Sequence, residues 1–393
     1  MHDHRDHAGI AGSNIPCYVV VMRIMLALTA VLAMVAPAAA RPTASPLVSA
    51  TPIAGAPEGA QGYKIIYRTR NGQGVAVQAG GIVVVPAGRA PGGGRDVIAW
   101  THGTTGIADA CAPSANSWRF SLIAGLGPLL QRGHIVVAPD YIGLGTPGTH
   151  PFLVGKDTGQ AVLDAVRAAA AVPRANASRR FAIWGESQGG HAALWSGGLA
   201  RSYAPELELV GVVASAPATD LVANIAGAKN VGVRSLMTAY AGASWSQIYG
   251  IPLSTVTGPV GQDLMRRLAT QCITLDGFKL GTKIGLVRMT HILRNVDLAA
   301  LPRWGALMRQ NSVPIRPLGV PLMVAQGSAD VIIDPAATRK FVNGMCAAGQ
   351  PIKFVEVAGG DHVTIAKRTT TETVTWLDDR FAAKRAPNDC GRL

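Results

Sequence analysis

The sequence predicts an α/β protein, with a mostly parallel central sheet, helices on both faces and a mainly helical insertion acting as a lid or cap. Three observations predict it. Short apolar runs of the type that buries both faces of a strand alternate with segments of helical period. That rhythm stops at Leu221 and resumes after Arg316. The residues able to do chemistry fall just beyond the carboxyl ends of the apolar runs, where open α/β sheets collect their sites. With 393 residues, 48% of them hydrophobic and only 15% charged, the chain can bury a large core and is not of the disordered class.

The amino terminus reads as a targeting segment. Ile24 to Ala36 is an apolar run preceded by Arg23 and followed by Pro37, Ala38, Ala39 and Ala40, a small-residue cleavage pattern. The run falls short of the roughly 20 apolar residues that a spanning helix needs. Residues 1–40 are therefore expected to be a signal peptide cleaved near Ala40, sending the protein out of the cytoplasm to the periplasm or medium with no stable membrane span. Residues 1–21 do not resemble the start of a signal, so Met22 is the expected first residue and His2, His4 and His7 are set aside as ligands. Residues 41–62, rich in Pro, Ala and Gly, are expected to form an arm of little periodicity.

The core then begins. Tyr63 to Tyr67 and Val75 to Pro86 read as antiparallel strands, and Val97 to Thr101 as a buried parallel one. A helix over Trp118 to Gln131 leads to the strand Ile135 to Ala138, and a helix over Gly159 to Val172 leads to the strand Phe181 to Trp184. A further helix to about Tyr203 and the strand Leu209 to Ala214 complete the first part of the core, residues 63–220. Residues 221–316 are too long for a loop and carry helical pieces at Gly261 to Gln271 and Ile284 to Arg294, separated by prolines, as an inserted subdomain would. Its Leu, Ile, Val and Met either line an acyl site or form the insertion's own core. The second part of the core, residues 317–393, holds the strand Pro321 to Gln326, a helix over Pro335 to Ala348, the strand Ile352 to Val357 and a final helix from Thr364 to Ala383.

Composition limits the function. The net charge is +13, and residues 1–40 carry two basic and two acidic side chains, so their loss leaves it unchanged. The positive charge is scattered, with no run of five and no zinc-finger, RRM or helix-turn-helix signature. This excludes nucleic-acid binding as the main function and fits a solvated surface. Beyond Cys17 in the leader, four cysteines remain: Cys111, Cys272, Cys346 and Cys390. An even number in an exported chain points to two disulfides rather than buried thiols, and no C-x-x-C spacing argues for metal. Spacing leaves three connectivities open; Cys111–Cys272 with Cys346–Cys390 is the working expectation.

Gly185-Glu186-Ser187-Gln188-Gly189 matches G-x-S-x-G, in which glycines permit a sharp strand-to-helix turn that presents a serine above the sheet. Chance alone would give roughly 0.2 matches in a chain of this composition. Its place between a buried strand and a helix is the context the motif requires, so Ser187 is the expected nucleophile of an α/β-hydrolase fold. Such a serine needs a base, and the base an acid that fixes its tautomer. The expected chain order is acid, then histidine. Asp330, in Gly327-Ser328-Ala329-Asp330, is the expected acid. Its rival Asp334 precedes Pro335 and reads as a helix N-cap. His362, in Gly359-Gly360-Asp361-His362, is the expected base, and Asp361 is too close in sequence to orient it. His102, His134, His150, His191 and His291 all precede Asp330, which sets them aside. The backbone amides of Gln188 and of Thr104, with Gly103 as second choice, are the expected oxyanion donors. Tyr141 has two readings: facing the site, or, more simply, part of a turn held by Asp140. No P-loop, dinucleotide fingerprint, EF-hand or H-E-x-x-H occurs, so neither cofactor nor metal is expected.

Trp100-Thr101-His102-Gly103-Thr104, Pro139-Asp140-Tyr141-x-Gly143-Leu144-Gly145, Gly185 to Gly190 and Gly327 to Asp330 together resemble the secretory lipase family within the α/β-hydrolases, over roughly Tyr63 to Ala383. The resemblance implies a secreted carboxylic-ester hydrolase, lipase or esterase, with a helical lid over an acyl pocket and Ser187, Asp330 and His362 as triad. A small-molecule or lipid ester would be its partner, with contact at a lipid interface. The same elements would also serve a serine peptidase or an acyltransferase, or persist in a lipid-binding protein without catalysis.

Overall fold

The computed structural model describes residues 45–273 and 280–393, the side chains of 280–282 excepted. The expected signal peptide, with Met22, Cys17 and the three early histidines, lies outside the described residues. Among the described residues nine strands form one sheet: β1 (Leu47–Ile53), β2 (Ala60–Arg70), β3 (Ala76–Pro86), β4 (Arg95–Thr101), β5 (Ile135–Ile142), β6 (Ala177–Glu186), β7 (Glu208–Ser215), β8 (Leu322–Gly327) and β9 (Ile352–Val357). Their order is β1-β2-β3-β5-β4-β6-β7-β8-β9. The pairs from β1 to β5 are antiparallel, and every pair from β5 through β9 is parallel. β1 falls inside the segment expected to be an arm of little periodicity. None of its residues is buried, and pairing with β2 supplies an order that its composition does not.

Helices cover both faces. On one side α2 (Gly155–Ala169) and α3 (Gln188–Tyr203) pack with α8 (Pro335–Ala347). On the other lie α1 (Leu126–Gln131), α9 (Ile365–Arg368) and α10 (Thr370–Phe381). Alternation along each strand divides the core in two: Val97, Ala99 and Ile183 point to the first set of helices, Ile98, Trp100 and Trp184 to the second. Two expected helices are broken. Trp118 to Gln131 becomes a short 3₁₀ turn, Arg119–Leu122, followed by α1, because Gly125 takes the left-handed conformation between them. Thr369, at φ −97° and ψ 7°, separates α9 from α10. Behind the sheet, Asp164 of α2 accepts hydrogen bonds from Thr69, Tyr203 and Arg167, fastening β2 to α2 and α3.

Between β7 and β8 the chain forms α4 (Val231–Ile248), α5 (Pro259–Ala269), α6 (Leu280–Leu293) and α7 (Pro302–Asn311). These helices have an apolar core of their own, built around Tyr240, Trp245, Met265, Met289 and Trp304, and joined by Phe152, Leu153 and Ile333 from the sheet side. One disulfide, Cys111–Cys272, ties the segment after β4 to the end of α5, and the other, Cys346–Cys390, ties α8 to the carboxyl terminus. Among the described residues no helix is long and apolar enough to cross a membrane.

Candidate active site

Ser187 stands at the junction of β6 and α3 with φ +59° and ψ −119°, a strained conformation for a residue with a side chain. The glycines around it are a steric requirement. A methyl group on Gly185 would collide with the Thr101 hydroxyl and the Gly189 carbonyl, and one on Gly189 with the Thr101 carbonyl. One on Gly190 would lie 2.8 Å from Pro217. Thr101, paired with Gly185 across β4 and β6, donates its hydroxyl hydrogen to the Gly189 carbonyl at 2.7 Å, and the Ser187 N–H donates to Ser215 of β7 at 2.9 Å. The turn is thus wedged between both neighbouring strands.

The loops after β8 and β9 meet beside it. Gly327 has no room for a methyl group because the Gly360 carbonyl lies against it, and the amides of Ser328 and Ala329 donate to Val357 and Gly360. This contact carries the second loop over the first, so that His362 Nδ1 lies 2.8 Å from Asp330 Oδ2 and His362 Nε2 lies 2.8 Å from Ser187 Oγ. Asp330 Oδ2 also accepts from the Gln326 amide, and Oδ1 from the N–H groups of Ile332 and Ile333. Burial opposes ionisation of Asp330, but the His362 hydrogen bond and charge, with those two amides, outweigh it and hold its carboxyl below the usual range. A carboxylate acceptor leaves Nδ1 as donor and Nε2 as the free base facing the hydroxyl. Such a line can take a proton from a serine as it attacks a carbonyl.

The other candidates fall outside this line. Asp334 caps α8 by accepting from Ala336 and pairs with Lys229, and Asp361 accepts from Thr364 on the surface. His134 contacts Asp378 and His191 the Asn311 carbonyl. His291 lies in the last turn of α6. Tyr141 does not face the site: it is buried, stacks on His102 and donates its hydroxyl hydrogen to the His102 carbonyl. Nor does Asp140 close its own turn; it accepts from Ser114 at 2.8 Å. Burial pushes Asp140 up to about 6.

His102 to Thr105 line the same cavity as His362. A methyl group on Gly103 would lie 3.6 Å from Ser187 Cβ, so this loop approaches the serine closely. Gln188 opens α3, where a first-turn N–H has no carbonyl partner within the helix. His150, set aside by chain order, sits against the Gln188 side chain at 3.0 Å. Burial lowers His150 to about 3, so its neutral ring donates through Nδ1 to the Ile142 carbonyl and accepts from Gln188 through Nε2. Sequence reading also passes over Glu186. Burial pushes its carboxyl up to about 7, its Oε1 is shielded from solvent, and that atom has no hydrogen-bond partner among the described residues.

Ser187 and His362 open into a cavity of about 720 Å³ also lined by Val233, Leu236, Met237, Ile273 and Leu286 of the insertion and by Ile332. The insertion's apolar residues therefore both pack among themselves and line the cavity. Ile273 donates its N–H to the Thr105 carbonyl at 2.8 Å, next to the Cys111–Cys272 disulfide, so wall and loop are joined twice. Among the described residues no group of three or more His, Cys, Asp and Glu is placed to hold a metal.

Residues 122–389 match the family model described as secretory lipase. Lipase 5 of Candida albicans is 26% identical over 279 residues, covering 68% of this chain, and the match spans 59% of that lipase's length. A Mycobacterium tuberculosis protein named a "probable inactive lipase" is 25% identical over 347 residues, 84% of this chain and 75% of its own. The crystal structure of Candida antarctica lipase A superposes with a TM-score of 0.72 at 20% identity, over 89% of this chain and 84% of that one, which shows a shared α/β-hydrolase fold. With more than half of its length matched by the family model, the chain belongs to the secretory lipase family.

Proposed function

We propose that the protein is an exported serine hydrolase that cleaves carboxylic esters of aliphatic acids through an acyl-enzyme on Ser187. The observation that carries this reading is the hydrogen-bonded line from Ser187 through His362 to Asp330, opening into an apolar cavity. His362 Nε2 takes the hydroxyl proton as Oγ bonds to the ester carbonyl carbon, and Asp330 stabilises the imidazolium. Negative charge gathers on the carbonyl oxygen between the amides of Gln188 and Thr104, or of Gly103. The ester C–O bond then breaks, and His362 returns the proton to the departing alkoxide. Water repeats the attack, passing one proton through His362 to Ser187, and the acid leaves. The acyl chain runs under the insertion, along Leu236, Met237 and Leu286. A cavity this size lies within the roughly 300–1,000 Å³ of small-molecule sites.

The test is initial rate on nitrophenyl esters from acetate to palmitate, with emulsified triacylglycerol alongside. A maximum at chains long enough to fill the cavity is expected. Ser187→Ala should lose at least about 10⁴-fold in kcat. Full activity in that variant, or preference for a peptide panel over every ester, would overturn the reading.

A further inference from the structure

We propose that Glu186 is a positioning residue that acts through His362: its carboxylate, lining the same cavity as the imidazole and not hydrogen-bonded to it, stabilises the imidazolium formed while Ser187 is acylated and deacylated. This rests on the reading of Ser187 and His362 as nucleophile and base.

The placement is unusual for a residue that only fills space. Glu186 ends β6, immediately before the strained serine, and shares the cavity wall with His362 and Lys367. A carboxylate oxygen shielded from water without a donor is unfavourable, and Met would satisfy the volume without that penalty. The groups acting on its charge come from three elements. From the loop after β9, His362 favours ionisation; from α9, the Ala366 amide and Lys367 do the same; from the loop after β8, Asp330 opposes it. His362 is the largest of these influences after burial itself. Asp330 already saturates the Nδ1 side, so Glu186 can add only through space. Its attraction is weak while the ring is neutral and appears when the ring gains the serine proton. An interaction present only in the transition state raises kcat and leaves substrate binding alone. Burial, by bringing the carboxyl to about 7, makes this second charge arrive across neutral pH.

The experiment compares wild type, Glu186→Gln and Glu186→Asp in kcat and KM for nitrophenyl butyrate across pH, alongside the rate of fluorophosphonate labelling of Ser187. Glu186→Gln should lower the alkaline plateau of kcat about tenfold with KM unchanged within about twofold. Its acid limb should move to lower pH, because an imidazole without a neighbouring negative charge gives up its proton more easily. Glu186→Asp should return most of both effects. A wild-type plateau in Glu186→Gln, or a lower plateau with an unmoved acid limb, would overturn the proposal, the latter meaning a purely structural side chain. Should Glu186→Gln not fold, the wild-type acid limb of kcat/KM decides: it should fall more steeply than one ionisation allows, and a one-proton fit would overturn the idea. Wild-type protein that is not labelled at Ser187 would instead sink the underlying reading of the site.

Discussion

At the carboxyl edge of the sheet, glycines with no room for a methyl group hold backbone against backbone, whereas in the insertion Trp245, Trp304, Met265 and their neighbours make contact through large side chains. The edge sets Ser187, His362 and Asp330 by hydrogen bonds of 2.8 Å that tolerate little displacement. The insertion offers Val233, Leu236, Met237 and Leu286 as a wall that can change its shape by substitution. Interiors accept volume-conserving exchanges, while backbone contacts without a Cβ accept almost none. Chemistry and selectivity should therefore respond to mutation separately.

The largest expected effect is at the edge. Asp330→Asn keeps an oxygen for the amides of Ile332 and Ile333 but turns a donor toward His362 Nδ1, so kcat should fall about 10³–10⁴-fold. The ratio of palmitate to acetate rates should stay as it was, and a changed ratio would break the separation. Next is the joint between the regions. The Cys111–Cys272 bond closes a separation of 161 residues, worth up to about 5 kcal/mol by loop entropy. Cys111→Ser with Cys272→Ser should lower the unfolding midpoint in denaturant, and an unshifted midpoint would show that the insertion's own core suffices. Within the insertion, Leu236→Trp should depress palmitate turnover about 10–100-fold more than acetate turnover, as read from kcat/KM across the ester series.

The smallest effect is on stability and separates the two regions by pH. Burial raises Glu186 from its ordinary 4.5 to about 7, so the folded chain holds a proton that the unfolded chain has released. Stability is lost as pH rises from the ordinary value through about 7, and below that window there is no loss. Glu186→Gln does not titrate and should exceed the wild type by about 1–3 kcal/mol at about pH 8, with the gain gone near about pH 4. Chemical denaturation at both pH values measures it, and an equal gain at both would show that the carboxylate charge is not its source.

Where the sequence was informative, a local rule determined the structure. G-E-S-Q-G between strand and helix placed Ser187, and the rhythm of apolar runs located all eight strands outside the arm within a few residues, β5 running on to Ile142 and β6 beginning earlier, at Ala177. Those extensions come from pairing: β5 gains residues from β3, which meets it antiparallel through Ile142. β1 could not be read, because its order comes from β2. The contacts of Glu186 and His150 were equally hidden, since each depends on loops that are distant in sequence but adjacent over the sheet. Helical period could not reveal the interruptions at Gly125 and Thr369, where a single residue's conformation decides.

The crowding at Gly185, Gly189 and Gly327 constrains descent as well as local geometry. A methyl group at any of the three would strike backbone or a buried hydroxyl, whatever residue stood at position 187. The glycines answer to folding, and the serine between them to the reactivity proposed for it. A descendant of this chain could lose the hydroxyl and every trace of turnover yet remain bound to the same glycines, so that the outline of the motif would outlast its use.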